Sequence, residues 1–408
     1  MRILFLTQII PYPPDAGPRV KTWHVLRYLV ERGHEVILAS FVRPDEEQHV
    51  SVLRDLCTAV HTVPIHRSRL KDMGYFLRSN LTGRPFLIER DDLPSMRQLV
   101  HSILNSEKID IIHADQLTMT QFALGHRPFT IFDAHNATWT ITQRIAQNAA
   151  WFLRPVLYLE TQRIQRYEAM LVKEFDHTMV VIAQDRDALL EGVPASEKAA
   201  FVQRISSIPI AVDTQKLQPT QRQPQANNIM TLGSLHYPPN ADGIRWFLNE
   251  VFPLIQAEAP DVTLAIIGKN PPSDFVQAAA AQPNIIHVTG YVPDLDPYME
   301  AATVMVVPVR AGSGMRVRLL EAFARAMPCV TTTIGLEGIA AEHGCEVLIA
   351  DDAATFAQET LRLLRDNKLQ AYLAENGRKL ATTRYDWQVA LQKMDAVFAQ
   401  AEKTTPHE

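Results

Sequence analysis

Short apolar runs alternate along the chain with longer stretches whose apolar residues recur at helical spacing, the pattern of parallel strands flanked by helices. Residues 2–7 read as a buried first strand. A proline-rich loop, residues 8–19, follows, with Gly17 near its end. Residues 20–32 then read as a helix with Trp23, Leu26, Leu29 and Val30 on one face, stopped by Gly33, and residues 35–40 as the next strand. This strand, loop, helix, strand order opens a doubly wound sheet, whose ligands bind at the carboxyl ends of strands. The loop lacks G-x-G-x-x-G, which disfavours a NAD dehydrogenase. Further apolar runs at 109–113, 130–133, 177–182 and 205–212 predict strands, and residues 146–174 predict one long helix. Two of these strands run into polar clusters, Ala114-Asp115-Gln116 and Ala134-His135-Asn136. The end of a parallel strand is the favoured place for chemistry, so His135 is a functional candidate, although a lone histidine is as often structural.

Residues 215–227 are polar, glutamine-rich and broken by two prolines, a linker composition that sets the domain boundary. The strand-then-helix pattern restarts beyond it. Strands are predicted at 229–232, 263–267, 285–288, 304–307, 329–332 and 347–349, with helices at 242–256, 353–365 and 369–380. The most informative stretch follows Val304–Val307. A turn carries Pro308, Gly312 and Gly314, and a helix is predicted over 315–325 with Arg316 and Arg318 in its first turn. Acids are the usual residues there, because the helix dipole is positive at that end. Two arginines instead suggest an anion such as a phosphate bound at the unpaired N–H groups, with Glu321 one turn on and within reach of an attached ribose. An ordinary βαβ turn with surface arginines would show the same glycines.

Composition narrows the picture. The 408 residues carry a net charge of −5 and 47% hydrophobic residues, an ordinary soluble balance that excludes a nucleic-acid binder. Three cysteines form no framework and have no metal-ligand spacing, which fits a reducing cytoplasm. The first apolar run is far too short for a signal peptide or a membrane span. Arg67, Arg69, Lys71, Arg78, Arg84 and Arg90, near Asp72 and Glu89, make a mildly basic region. A solvated face is its plain reading; peripheral contact with the inner face of a membrane, or with an anionic acceptor, is the other. Asp185 and Asp187, and Asp294 and Asp296, read as turn formers rather than metal pairs, so no metal is expected.

The segment GSGMRVRLLEAFARAMPCVTTTIGLEGI resembles the pattern G-S-G-x-R-x-K-x-L-E-A-x-A-x-G-x-P-V-V-x-T-x-x-G-x-E-G of group 1 glycosyltransferases, the retaining family 4 type. PYPPDAGPRVKTWHVLRYL, DAHNATW, IPIAVD, GSLHYPPNADGIRWF and GYVPDLDPYM support the resemblance along the whole chain. It implies an α/β fold of the GT-B kind: two Rossmann-like domains with parallel sheets facing a central cleft. The acceptor domain would span 1–213, the nucleotide-sugar donor domain 214–385, and residues 386–408 would form a helix returning to the first domain.

The resemblance also implies roles. Gly17 and its loop would close over the donor diphosphate and sugar, His135 would sit by the transferred sugar, Arg316 and Arg318 would face the diphosphate, and Glu321 the ribose hydroxyls. Gly233, Ser234, Asn240, Gly268, Lys269, Tyr291, Val292, Ser313, Gly314 and Met315 would complete the donor site, with backbone at 290–292 meeting the base. Asp115, Gln116 and Asn136 are acceptor-side candidates. The sequence departs from the wider family in four places, the first being that the usual P-N-G-V-D reads Pro209-Ile210-Ala211-Val212-Asp213. Ser313 stands where a glutamate usually contacts the sugar. Ser234 and Asn240 replace a basic pair, whose charge Arg316 and Arg318 would supply. Pro18 replaces the second glycine of the first loop. The implied activity is metal-independent, retaining transfer of a sugar from a UDP- or GDP-sugar to a hydroxyl acceptor in glycan, glycolipid or secondary-metabolite synthesis, with no cofactor. A sugar-nucleotide 2-epimerase and a non-catalytic nucleotide-sugar-binding subunit are the rival readings.

Overall fold

The computed structural model describes residues 1–408 except 15–16, 223–226, 313 and 405–408. The chain forms two units, residues 1–210 with 390–408, and residues 211–389.

The first unit is a parallel sheet built from β1 (Arg2–Thr7), β2 (Glu35–Val42), β3 (Ala59–Pro64), β4 (Ile111–Asp115), β5 (Phe129–Ala134), β6 (His177–Val180) and β7 (Ile205–Ser207). Their spatial order is β3-β2-β1-β4-β5-β6-β7. The winding reverses between β1 and β4, so Thr7 and Asp115 end side by side in register. β4 and β5 are buried along their whole length, as near-continuous apolar runs in a doubly covered sheet should be. The Lys393–Thr404 helix belongs to this unit: Asp395 accepts from Tyr28 Oη at 2.7 Å and pairs with Arg32, and Phe398 stacks on His34.

The second unit repeats the plan with β8 (Asn228–Leu232), β9 (Thr263–Ile267), β10 (Ile286–Gly290), β11 (Val304–Val307), β12 (Cys329–Thr331) and β13 (Leu348–Ile349), in the order β10-β9-β8-β11-β12-β13. Here the winding reverses between β8 and β11. All strand pairs in both sheets are parallel.

Several boundaries differ from expectation. The first helix is Gly17–Glu31, three residues earlier than read, so Gly17 opens the helix instead of lying in the loop before it. Pro18 does not prevent this, because a proline in the first turn lacks only an N–H that would be unpaired anyway. The expected long helix at 146–174 is two helices, Thr138–Asn148 and Arg154–Glu174, the second with Pro155 in its first turn. The strand expected to reach Val212 stops at Ser207, and Pro209 cannot donate to a ladder. Residues 211–213 belong to the second unit instead. Val212 bridges Asp386, whose Oδ2 accepts from Thr214 N at 3.2 Å and Thr214 Oγ1 at 2.6 Å.

The helix expected at 315–325 is Val317–Ala324. Arg316 precedes it in an extended conformation, φ −91° and ψ 92°. At its far end Ala326 adopts φ +54°, the left-handed turn that closes a helix and normally requires glycine. Ala326→Gly removes a strain of about 1–2 kcal/mol against a smaller entropic loss in the unfolded chain. The variant should therefore be more stable by about 0.5–1 kcal/mol in urea unfolding.

Candidate functional site

In the second unit the loops after β8 and β11 meet at the reversal of winding, and Arg318 ties them together. Its Nη1 donates to the Leu232 carbonyl at 3.0 Å and its Nη2 to Asn240 Oδ1 at 2.9 Å. Asn240 in turn donates to the Ser234 carbonyl at 3.2 Å, closing the turn that starts the Pro238–Trp246 helix. The guanidinium lies against Gly233, where a Cβ would come within 2.2 Å of Nη1, so a larger residue would have to push the arginine aside. Gly268 shows the same crowding: a Cβ there would sit 1.9 Å from the Gly233 carbonyl oxygen. Gly268 N also donates to the Gly290 carbonyl at 2.9 Å. The ends of β8, β9 and β10 thus pack as bare backbone.

Arg316 folds back over its own loop. Its Nη1 donates to the Gly314 carbonyl at 2.8 Å, across backbone held at φ +110° by Gly312 and φ +83° by Gly314. Arg318 is partly buried and both its hydrogen-bond acceptors are uncharged; it makes no ion pair among the described residues. Burial, then the positive charge of Arg316, pull its guanidinium down to about 10, which leaves it charged at neutral pH. Burial pushes the Glu321 carboxyl up, against the opposing charges of Arg325 and Arg318. Two like charges share a partly dehydrated place, an arrangement an anion would relieve. Nearby, Lys269 Nζ lies 4.4 Å from the centre of the Tyr291 ring, and that ring is exposed. Val292 is partly buried and Met315 buried, while Ser313 lies outside the described residues.

The first unit holds a second polar cluster at its own reversal of winding. Asp115 and Asp133 end β4 and β5 in register and both are fully buried. Asp115 accepts from Thr7 Oγ1 at 2.9 Å and Thr22 Oγ1 at 3.0 Å, and lies 2.7 Å from His135 Nε2. Its oxygens are therefore engaged inside the protein. Asp133 forms an ion pair with Lys21, a lysine buried to 2% exposure, and lies 3.3 Å from His113 Nε2. Gln116 follows with φ +72°, a strained position for a residue with a side chain, and its N donates to the Asp133 carbonyl at 3.0 Å. Gln116, His135 and Asn136 stay partly exposed around this buried base.

His113, Asp115 and Asp133 could converge on a cation. Lys21 already supplies a positive charge there, and the two threonine hydroxyls and His135 take up Asp115, so the set fits an internal charge network better than a metal site. Lys21, Thr7, Thr22 and His113 were not singled out from the sequence. A signal existed: Lys21 shares a helix face with Val25 and Leu29, both buried. A lysine at such a position needs a partner.

Burial pushes the Asp133 carboxyl up, but the charge of Lys21, the hydrogen bond with His113 and the charge of His135 outweigh it and hold it well below its ordinary 3.8. A depressed carboxyl contributes stability that is present above its unfolded pKa and lost as pH falls through the folded value. The unit should therefore lose stability below about pH 4. Lys21→Met leaves the carboxylate buried and unpaired and should cost about 3–5 kcal/mol in denaturant unfolding at neutral pH, a deficit that shrinks as acid protonates the carboxyl. Lys21→Met combined with Asp133→Asn should recover part of it.

Comparison with known proteins places these features. Residues 226–366 match the family described as "Glycosyl transferases group 1". A Klebsiella pneumoniae protein described as "Uncharacterized 44.6 kDa protein in cps region" is 22% identical over 407 residues, 94% of this chain and 96% of its own. Among solved structures, Anabaena HepE in complex with UDP aligns with a TM-score of 0.68 at 14% identity, covering 98% of this chain and 100% of that one. Sucrose-phosphate synthase from Thermosynechococcus elongatus aligns at 0.70 with 16% identity, covering 99% and 100%. Residues 226–366 are thus similar to the group 1 glycosyltransferases, and the chain as a whole has the GT-B fold.

Proposed function

We propose that the protein is a retaining glycosyltransferase that moves a sugar from a nucleoside-diphosphate sugar to a hydroxyl acceptor without a metal. The observation that supports this best is Arg318, anchored on uncharged oxygens at the β8–β11 reversal with Arg316 beside it and no carboxylate paired to it among the described residues. Glycosyl transfer breaks the anomeric C–O bond and leaves two negative charges on the departing diphosphate. Preorganised cations stabilise that charge as it develops. On this reading Arg316 and Arg318 hold the diphosphate and Glu321 the ribose hydroxyls. The exposed ring of Tyr291 and the backbone at 290–292 meet the base. The acceptor hydroxyl attacks on the face from which the leaving group departs, and a phosphate oxygen takes its proton. His135 serves the transferred sugar, and Asp115, buried beneath it, orients its ring instead of meeting the acceptor. HepE, of the same fold, is in complex with UDP, which makes UDP the first nucleotide to test.

Calorimetry with UDP and uridine tests the phosphate assignment. Arg316→Ala should weaken UDP ten- to a hundredfold, since a charge-assisted hydrogen bond is worth about 1.5–3 kcal/mol, and leave uridine unchanged. Equal loss for both ligands would mean that the arginine only holds its loop. Turnover with a UDP-sugar should survive EDTA; strict dependence on Mn²⁺ or Mg²⁺ contradicts the mechanism. Conversion of the donor without any acceptor would point to an epimerase instead. His135→Ala should lower turnover while leaving UDP affinity within about threefold.

A further inference from the structure

An amphipathic helix on a folded domain normally turns its apolar stripe inward. The Arg69–Thr82 helix of the first unit does the reverse. Leu70, Met73, Leu77 and Leu81 are 79%, 58%, 60% and 88% exposed. At 100° per residue they fall within an arc of about 80°. Arg69 borders this arc on one side and Lys71 and Arg78 on the other, all three exposed, with Arg78 also paired to Glu89 at 2.8 Å. A second outward apolar run lies in the same unit: Trp151, Phe152 and Leu153 are 81%, 61% and 47% exposed, with Arg154 next to them. The helix that follows is fastened to the first one, because Arg163 donates to Ser79 Oγ at 3.2 Å and to Asn80 Oδ1 at 3.0 Å.

The flank of the Arg69–Thr82 helix also borders a cavity of about 210 Å³ lined by Lys71 and Tyr75 together with Arg67, Arg90, Asp72 and Ser95. Asp91 pairs with Arg67 at 2.5 Å and with Arg90 at 3.5 Å, so the wall keeps its positive side through Lys71.

We propose that this face of the first unit docks on the surface of a lipid bilayer containing anionic headgroups. Apolar side chains projecting between cations are what an interfacial helix presents: the stripe enters the acyl boundary while lysine and arginine meet phosphates. With 14 residues, the helix is too short to span, and no helix among the described residues is long and apolar enough to cross a membrane. A second copy of the chain fits less well. In a twofold dimer the same patch meets itself, which would place Arg69, Lys71, Arg78 and Arg154 of both copies in one contact. The proposal does not rest on the glycosyl-transfer reading.

Flotation of the full chain with vesicles tests it. Vesicles of phosphatidylcholine with about a third phosphatidylglycerol should carry at least tenfold more protein than phosphatidylcholine alone, and added salt should reduce the difference. Leu77→Glu combined with Leu81→Glu should lower binding at least tenfold. Both positions are exposed, so an unchanged melting temperature shows that the fold is intact. No preference for anionic vesicles, undiminished binding by the variant, or a solution dimer that the variant splits would each overturn the proposal, the last by making the face a contact between copies.

Discussion

When a parallel sheet is wound in two directions, two neighbouring strands end side by side and their loops leave in opposite directions. The crevice between them must be closed by side chains. In the second unit that task falls to one guanidinium. Arg318 reaches from the helix after β11 to the last carbonyl of β8 and to Asn240, so it holds both loops in one arrangement. The neighbouring glycines follow from this. Gly233 leaves the place where Arg318 lies, and Gly268 lacks a Cβ because the Gly233 backbone fills its space. Its two hydrogen bonds go to neutral oxygens, and the Glu321 carboxyl acts on Arg318 through charge alone.

The first unit meets the same constraint with the opposite sign. Asp115 and Asp133 lie in register on adjacent strands, both at zero exposure. Two dehydrated carboxylates cannot both stay ionised without donors and a cation. Lys21 supplies the cation from the helix above, and Thr7, Thr22, His113 and His135 supply hydrogen-bonding groups. In the first unit the carboxylates are held by one lysine and by hydrogen-bonding groups of the protein, while in the second Arg316 and Arg318 stand close together with Glu321 one turn on.

Much of this was legible in the sequence, because strands buried on both faces read as apolar runs and their polar ends stand out. His135, Asp115 and the glycine loop before Arg316 were found that way. Lys21 was not, since its partner Asp133 lies 112 residues away and only strand order brings them together. Helix starts were also misplaced. Local propensity tolerates Pro18 inside the first turn, and it does not reveal that Gly312 and Gly314, both at positive φ, delay the later helix to Val317. The basic region around Arg69 read most simply as a solvated face. Periodicity identifies a stripe of leucines, but only the packing of the unit shows that the stripe points to water.

The displaced helix start changes how the two arginines can act. Two residues apart on a regular helix, they would project about 200° from each other and could not share a ligand. Because Arg316 precedes the helix in an extended conformation, that restriction does not apply. The positive charge of Arg316 is felt at Arg318 strongly enough to lower its proton affinity, so the two guanidinium groups are electrostatic neighbours. Their tethers differ. Arg318 is fixed at two points on other elements, whereas the hydrogen bond of Arg316 to Gly314 lies within its own glycine-flanked loop. An anion between them would meet one rigid donor group and one that the loop can adjust. Under the function proposed, such a pair would hold the diphosphate and follow its charge as the bond to it breaks.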